Sequence, residues 1–346
     1  MFQYKTEPEN GNPSRQAYLD GINTLLGKLR AESENTRAAY RKDIFDDPEK
    51  YRKEFRAMLG WPLTETFSDV PEVKKEFLTE TDGVKIYRVT LTLLDCIPFW
   101  GLLFVTDEQE KKPLVIASHG GLGTPELVSG ILPGGSANYN DMVWRVMQYG
   151  ANVFAPQLLL WDPKVYKVTD AGNGGTDAMR HDKDIRLKQF GSSITAIELH
   201  GIERALDWLV TEPFVDAERI GMVGLSYGGF YTLFAAAADT RIKASVSSCF
   251  FNDRTAHCWE DWTWMNSGNT FSDVETAALV YPRSICLQVG TNDPLFNIDA
   301  ARETFRKFRE FAGERGDYAY LMDFEGTHEF SIDDATIVKM MEELNK

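Results

Sequence analysis

The stretch Ile220-Gly221-Met222-Val223-Gly224-Leu225-Ser226-Tyr227-Gly228-Gly229 decides how this chain is read. Its apolar start predicts a buried strand. The strand ends in a Gly-x-Ser-x-Gly turn and runs on into a helix of small residues, Phe230 to Ala238. Such a turn holds a serine in a strained backbone conformation with its hydroxyl exposed. The flanking residues are glycine because a Cβ there would collide with the neighbouring strand and helix. The bare string recurs by chance and also describes an ordinary tight turn. Its place between a buried strand and a helix is what makes Ser226 a candidate nucleophile.

Working outward, strand and helix patterns alternate. Tyr87, Val89 and Leu91 alternate with polar residues, so the sheet is expected to begin near residue 84. Phe99 to Val105 reads as a hairpin partner. Pro113 to Ala117 is apolar throughout, as in a strand buried on both faces. A helix at Val143 to Gln148 and a strand at Ala151 to Pro156 follow. A long helix spans Ser193 to Val210, with Leu199, Ile202, Leu206 and Leu209 on one face. Beyond the serine turn come strands at Ile242 to Ser247, Ser284 to Val289 and Tyr318 to Met322, and a closing helix at Ser331 to Leu344. This rhythm predicts an α/β fold with a mostly parallel central sheet and helices on both faces. Two stretches, 161–191 and 252–275, break it and are expected as lid-like insertions at strand ends, where open sheets carry binding groups.

Residues 1–80 read as a helical N-terminal extension to a catalytic domain at 81–346. Tyr18, Ile22, Leu25 and Leu29 recur at helical spacing, with Ser14 as the expected cap, and Tyr51, Phe55, Met58 and Leu59 form a second stripe. The extension packs on the main domain or on a second copy of the chain, so a homo-oligomer is one expected partner. The 346 residues are 43% hydrophobic and 26% charged, ordinary globular values. The net charge of −15 argues against nucleic acid and anionic membranes as partners. No apolar run approaches spanning length, and the four cysteines lack CxxC pairing. Reduced thiols and a cytoplasmic location are the expectation.

A serine nucleophile needs a base, and the base needs an orienting acid. Where the serine sits in this turn, the chain order is serine, acid, histidine. Of five histidines, His328 fits that order, in Gly326-Thr327-His328 after the last strand; His257 is the reserve. Asp293, in Gly290-Thr291-Asn292-Asp293-Pro294 after another strand, is the acid, with Asp323 and Glu325 as alternatives nearer in sequence. The plain reading of Asp293 is an Asp-Pro turn. Acyl transfer also needs donors for the oxyanion. The amides of Tyr227 and of Gly121, in His119-Gly120-Gly121-Leu122-Gly123, are the candidates. His119, Trp259, Trp262 and Trp264 are counted as substrate contacts, the tryptophans as a platform for a sugar ring or an apolar acyl group. The competing reading is a lid that packs its own aromatics. Asp177, Arg180 and Asp182 add polar contacts or are solvated. Gly172-Asn173-Gly174-Gly175 lacks the Walker spacing and lysine, which argues against a phosphate cradle.

Together the serine turn, His119-Gly120-Gly121, Gly290-x-x-Asp293 and Gly326-Thr327-His328 resemble the α/β-hydrolase superfamily over residues 84–346. Val215 to Gly221, leading into the turn, is similar to two of its groups. These are the acetyl xylan esterase and dienelactone hydrolase-like enzymes and the prolyl oligopeptidase catalytic domains. The resemblance implies a Ser226, Asp293 and His328 triad with no cofactor. Dienelactone hydrolases proper use cysteine where this chain has serine. The peptidases carry a propeller, and the roughly 110 residues ahead of the His-Gly-Gly loop are too few and too helical for one. The resemblance thus implies a serine ester hydrolase acting on a small-molecule or carbohydrate ester, with a short acyl group such as acetyl. A peptidase or amidase with the same residues and a non-catalytic binding protein are the rivals.

Overall fold

A computed structural model describes residues 3–61, 70–94, 96–158 and 175–346, with the backbone alone over 175–178. Its strands are β1 (Val73–Thr81), β2 (Val84–Leu93), β3 (Ile97–Val105), β4 (Lys112–Ser118), β5 (Asn152–Pro156), β6 (Val215–Leu225), β7 (Ile242–Ser248), β8 (Ser284–Gly290) and β9 (Ala319–Phe324). Its helices are α1 (Asn12–Tyr40), α2 (Pro48–Leu59), α3 (Pro125–Val128), α4 (Met142–Gln148), α5 (Gly175–Gln189), α6 (Ile194–Leu209), α7 (Tyr227–Ala238), α8 (Asp273–Ala278), α9 (Ile298–Ala312) and α10 (Ala335–Leu344).

The strands form one sheet in the order β1-β2-β3-β5-β4-β6-β7-β8-β9. From β5 to β9 every neighbouring pair is parallel, and β1, β2 and β3 join antiparallel at one edge. The continuous apolar run in β4 has a direct cause. Leu114 and Ile116 enter the core under α6 and α7, whereas Val115 and Ala117 enter the core under α4 and α10. A strand covered on both faces has no solvent side on which to alternate. Helix α6 begins where Ser193 caps it, its hydroxyl accepting from the Ala196 amide. The stripe of α2 is buried: Phe55 meets Phe234 of α7 at 5.2 Å between ring centres.

Three expectations fail for physical reasons. The sheet begins at Val73, not near 84, so the N-terminal extension is not helical to residue 80. β1 is an edge strand with mostly exposed side chains, and its lysines and glutamates hide the strand pattern while protecting the edge. Ser14 lies inside α1, which starts at Asn12 with Pro13 in its first turn. The closing helix begins at Ala335, because Ser331 and Asp333 spend their side chains on turn hydrogen bonds. Of the insertion expected at 161–191, residues 161–174 lie outside the described residues, with Gly172 to Gly174 among them. The part from 175 onward is mostly α5. The other insertion, 252–275, holds two short 3-10 turns, Glu260–Trp262 and Ser267–Asn269, and the start of α8. Among the described residues no helix is long and apolar enough to cross a membrane.

Candidate active site

The parallel strands bring four loops to one edge of the sheet. Ser226 follows β6, His119 to Gly123 follow β4, Asp293 follows β8 and His328 follows β9. The carboxyl ends of such strands are where open α/β sheets bind ligands.

Ser226 has φ +61° and ψ −120°, and its amide donates to the Ser248 carbonyl at 2.9 Å. A non-glycine residue in that region is held by its surroundings. The glycines make this possible. A Cβ on Gly224 would lie 2.3 Å from the Gly228 carbonyl oxygen, and one on Gly228 would lie 2.0 Å from that of Ser118. Helix α7 therefore sits directly on β6 and β4. Tyr227 is its first residue, where amides point outward along the positive end of the helix dipole. Gly121 lies against Tyr227, its nearest prospective Cβ contact being a Tyr227 ring carbon at 3.5 Å; Gly120 likewise faces Ser226 Cβ at 3.1 Å.

His328 Nδ1 and Asp293 Oδ2 are 2.9 Å apart. The other oxygen of Asp293 accepts from the amides of Leu295 at 2.8 Å and Phe296 at 3.0 Å. Burial works to raise the Asp293 pKa. The bond and charge of His328 and the two amides outweigh it and hold the carboxyl below its usual range. Phe296 stacks on the His328 ring, with centres 5.7 Å apart. Among the described residues Ser226 Oγ makes no hydrogen bond, to His328 or otherwise. Such bonds are often long in a free enzyme and tighten when substrate binds.

The other candidates for base and acid go elsewhere. His257 packs on Phe296 and Trp259, His181 pairs with Glu260 at 2.8 Å, and His200 packs on Trp61. Asp323 pairs with Arg302, and Glu325 is exposed.

His119 is corrected from substrate contact to loop anchor. It is fully buried, its Nδ1 meets the Gly120 carbonyl at 2.9 Å, and its Nε2 accepts from the Leu158 amide at 3.1 Å. Burial pushes its pKa down from 6.5 to about 4, with Arg180 adding to the fall and the Gly120 carbonyl opposing it. The unfolded chain thus binds this proton first as the pH drops. The stabilisation is fully present above 6.5 and is lost between 6.5 and about 4. The loss amounts to about 3 kcal/mol. Urea unfolding at pH 7 and pH 4.5 is expected to show that slope, and His119→Gln is expected to flatten it.

Trp262 and Trp264 are also corrected. They are 2% and 6% exposed and pack among Phe230, Phe234 and Phe250, so neither offers a face to a sugar. Trp259 is half-buried and stacks on Trp262 at 4.4 Å. The insertion closes on its own aromatics because burying their large apolar surface is worth more than exposing it.

Several residues were not singled out from the sequence. The turn at 137–140 ties two site loops together. The Tyr139 hydroxyl accepts from the Gly120 amide at 2.7 Å, and Asn138 Nδ2 donates to the His328 carbonyl at 2.9 Å. Asn140 Nδ2 reaches the Phe330 carbonyl at 2.7 Å. Cys249, with φ +50°, lies behind the Asp293 and His328 pair, the three ligand atoms being within 4.8 Å of one another. Burial, reinforced by Asp293, pushes its thiol up to about 12. It stays protonated and is not a rival nucleophile.

Arg180, expected as a polar contact or a solvated loop residue, is instead fully buried. It donates to both oxygens of Glu198 at 3.0 Å, to Asp261 at 2.5 Å and to the Tyr231 hydroxyl at 2.6 Å. Asp261 in turn accepts from the Tyr227 hydroxyl at 3.0 Å. One cation thus ties α5, α6 and the second insertion to the residue beside Ser226. Asp182 is half-buried and pairs with Lys183 and Arg186, and the Asp177 side chain lies outside the described residues. Arg180→Met is expected to cost about 3–5 kcal/mol in urea unfolding, because Glu198 and Asp261 are left buried without their cation.

A model of the prolyl oligopeptidase family matches residues 196–345. A polyketide transferase of a Penicillium species is 29% identical over 170 residues, 49% of this chain and 46% of its own. The matched stretches span less than half the length of the curated relatives. Among solved structures, a Bacteroides fragilis protein classed as an acetyl xylan esterase superposes with a TM-score of 0.66 at 16% identity. The overlap covers 92% of this chain and 88% of that one. A glucuronoyl esterase of Solibacter usitatus gives 0.61 at 15% identity over 85% and 92%. At such identities the likeness is one of fold, and the fold is that of the α/β-hydrolases.

Proposed function

We propose that this chain is a serine hydrolase that cleaves carboxylic esters through an acyl-enzyme, with Ser226, His328 and Asp293 as its triad. One observation carries the reading. A strained serine heads a helix at the same sheet edge as a carboxylate-held imidazole. His328 takes the Ser226 proton as the hydroxyl attacks the ester carbonyl. Asp293, bonded to Nδ1, fixes the tautomer and stabilises the imidazolium. The amides of Tyr227 and Gly121 receive the developing oxyanion. The alcohol leaves with the proton from His328, and water then enters by the same route in reverse.

The esterase names of the structural neighbours support ester over amide. A carbohydrate ester with a short acyl group has their names as its support and has lost that of Trp262 and Trp264. The prolyl oligopeptidase match favours a second reading, amide cleavage by the same residues. A panel of aryl esters and aminoacyl amides separates the two. Hydrolysis of aryl acetates at least a hundredfold faster than of the amides is expected, with a fluorophosphonate labelling the protein. Faster amide cleavage would favour the peptidase, and neither activity nor labelling would end both.

A further inference from the structure

The first part of α1 leaves the body of the protein. Every residue from Asn12 to Glu32 is exposed, and the helix first buries a side chain at Ser33. Along that length Tyr18, Leu19, Ile22, Leu25, Leu26 and Leu29 line one face, and they are 38–75% exposed. Spacings of three and four residues place them in a continuous band. Six large apolar side chains in one band exceed what a monomer ordinarily leaves in water. The base of the helix is pinned. Arg30 meets Asp253 and Lys307 meets Glu34, each at 2.8 Å, and Arg37 and Arg41 both pair with Glu275. The band is presented to solvent from a fixed anchor.

We infer that the band is covered by the same band of a second copy of this chain, with the two α1 helices antiparallel about a two-fold axis between Asn23 and Thr24. A two-fold contact has to be self-complementary. In that register Tyr18 faces Leu29, Ile22 faces Leu25, and the charges that close the band match, Arg15 of one copy facing Glu32 of the other at both ends. The seam Arg15, Tyr18, Ile22, Leu25, Leu29 and Glu32 has the alternating three- and four-residue step of helices that pair side by side. A parallel pairing would set Arg15 on Arg15 and Glu32 on Glu32. From Arg15 to Glu32 the contact is about 26 Å long. That length suits a dissociable dimer at the small end of specific interfaces.

Sedimentation velocity of the full chain over a concentration series is expected to show twice the chain mass. Ile22→Glu with Leu25→Glu is expected to give a monomer with its circular dichroism retained, since both side chains are exposed. Orientation is read by disulfide trapping in a background with the exposed Cys96 and Cys258 changed to serine. Tyr18→Cys combined with Leu29→Cys is expected to cross-link between copies and either change alone is not, because like positions lie about 16 Å apart in the antiparallel pair. A wild-type monomer at every concentration, or a dimer that survives the two glutamates, would overturn the interface. Cross-linking by Tyr18→Cys alone would overturn its direction.

Discussion

Ser226→Ala will lower kcat for an aryl acetate by a factor on the order of 10⁵ while leaving the fold intact. The size follows from what is removed. Without the hydroxyl no acyl-enzyme forms, and the oxyanion amides and the His328 and Asp293 pair are left to assist water directly. Such remnants retain roughly 10³–10⁴ over the uncatalysed reaction. Stability should stay within about 0.5 kcal/mol, because an isolated substitution that breaks no hydrogen bond and opens no cavity costs little. Ser226 Oγ makes no hydrogen bond among the described residues, and alanine inherits the same backbone strain. Loss of activity with an unchanged urea midpoint therefore separates chemistry from folding. A variant that keeps a tenth of wild-type turnover would remove Ser226 from the mechanism.

Asp293→Asn should lower kcat by about 10⁴. The replacement keeps the shape, and its carbonyl can still accept from the Leu295 and Phe296 amides. Its NH₂ then faces His328 Nδ1 and donates where the carboxylate accepted. The imidazole is forced to carry its proton on Nε2, the nitrogen that has to receive the proton of Ser226. The imidazolium also loses its buried counter-charge. The effect should fall on kcat far more than on KM, because Asp293 is a positioning group in the proposed mechanism and its side chain is fully buried. A drop of less than tenfold would mean that the bond at 2.9 Å is structural.

The parts that were legible in the sequence are those fixed by local chemistry. The strands at 112–118, 152–156 and 284–290 announce themselves because both faces are covered, so apolar residues run on without alternation and Gln288 alone breaks the interior of one of them. The Ser226 turn is legible because its glycines form a local string between an apolar run and a run of small residues, although the contacts that require Gly228 and Gly229, with Ser118 and Ser248, are distant in sequence. Asp293 and His328 stand out by chain order and by their place after strands, and the fold sets them 2.9 Å apart. β1 was missed because an edge strand needs charge more than apolar alternation. The fates of Trp262 and Trp264 were not legible, since an aromatic-rich irregular stretch reads alike whether its rings face a ligand or one another. The contact that holds the histidine loop joins Asn138 to a residue 190 positions away, and nothing local marks it. Arg180 carries no signal either. Beside Asp182 in an irregular charged stretch it reads as a polar contact or as solvated, and only the folded chain brings Glu198, Asp261 and Tyr231 around it.

The most direct test of the central claim is rapid-quench mass spectrometry during hydrolysis of an aryl acetate. The account predicts one acetyl group, appearing before steady state, on the peptide that contains Ser226, and accumulating when water is replaced by a poor acceptor. Hydrolysis that proceeds with no acetyl on that peptide, or with acetyl on another residue that turns over at the catalytic rate, would contradict it.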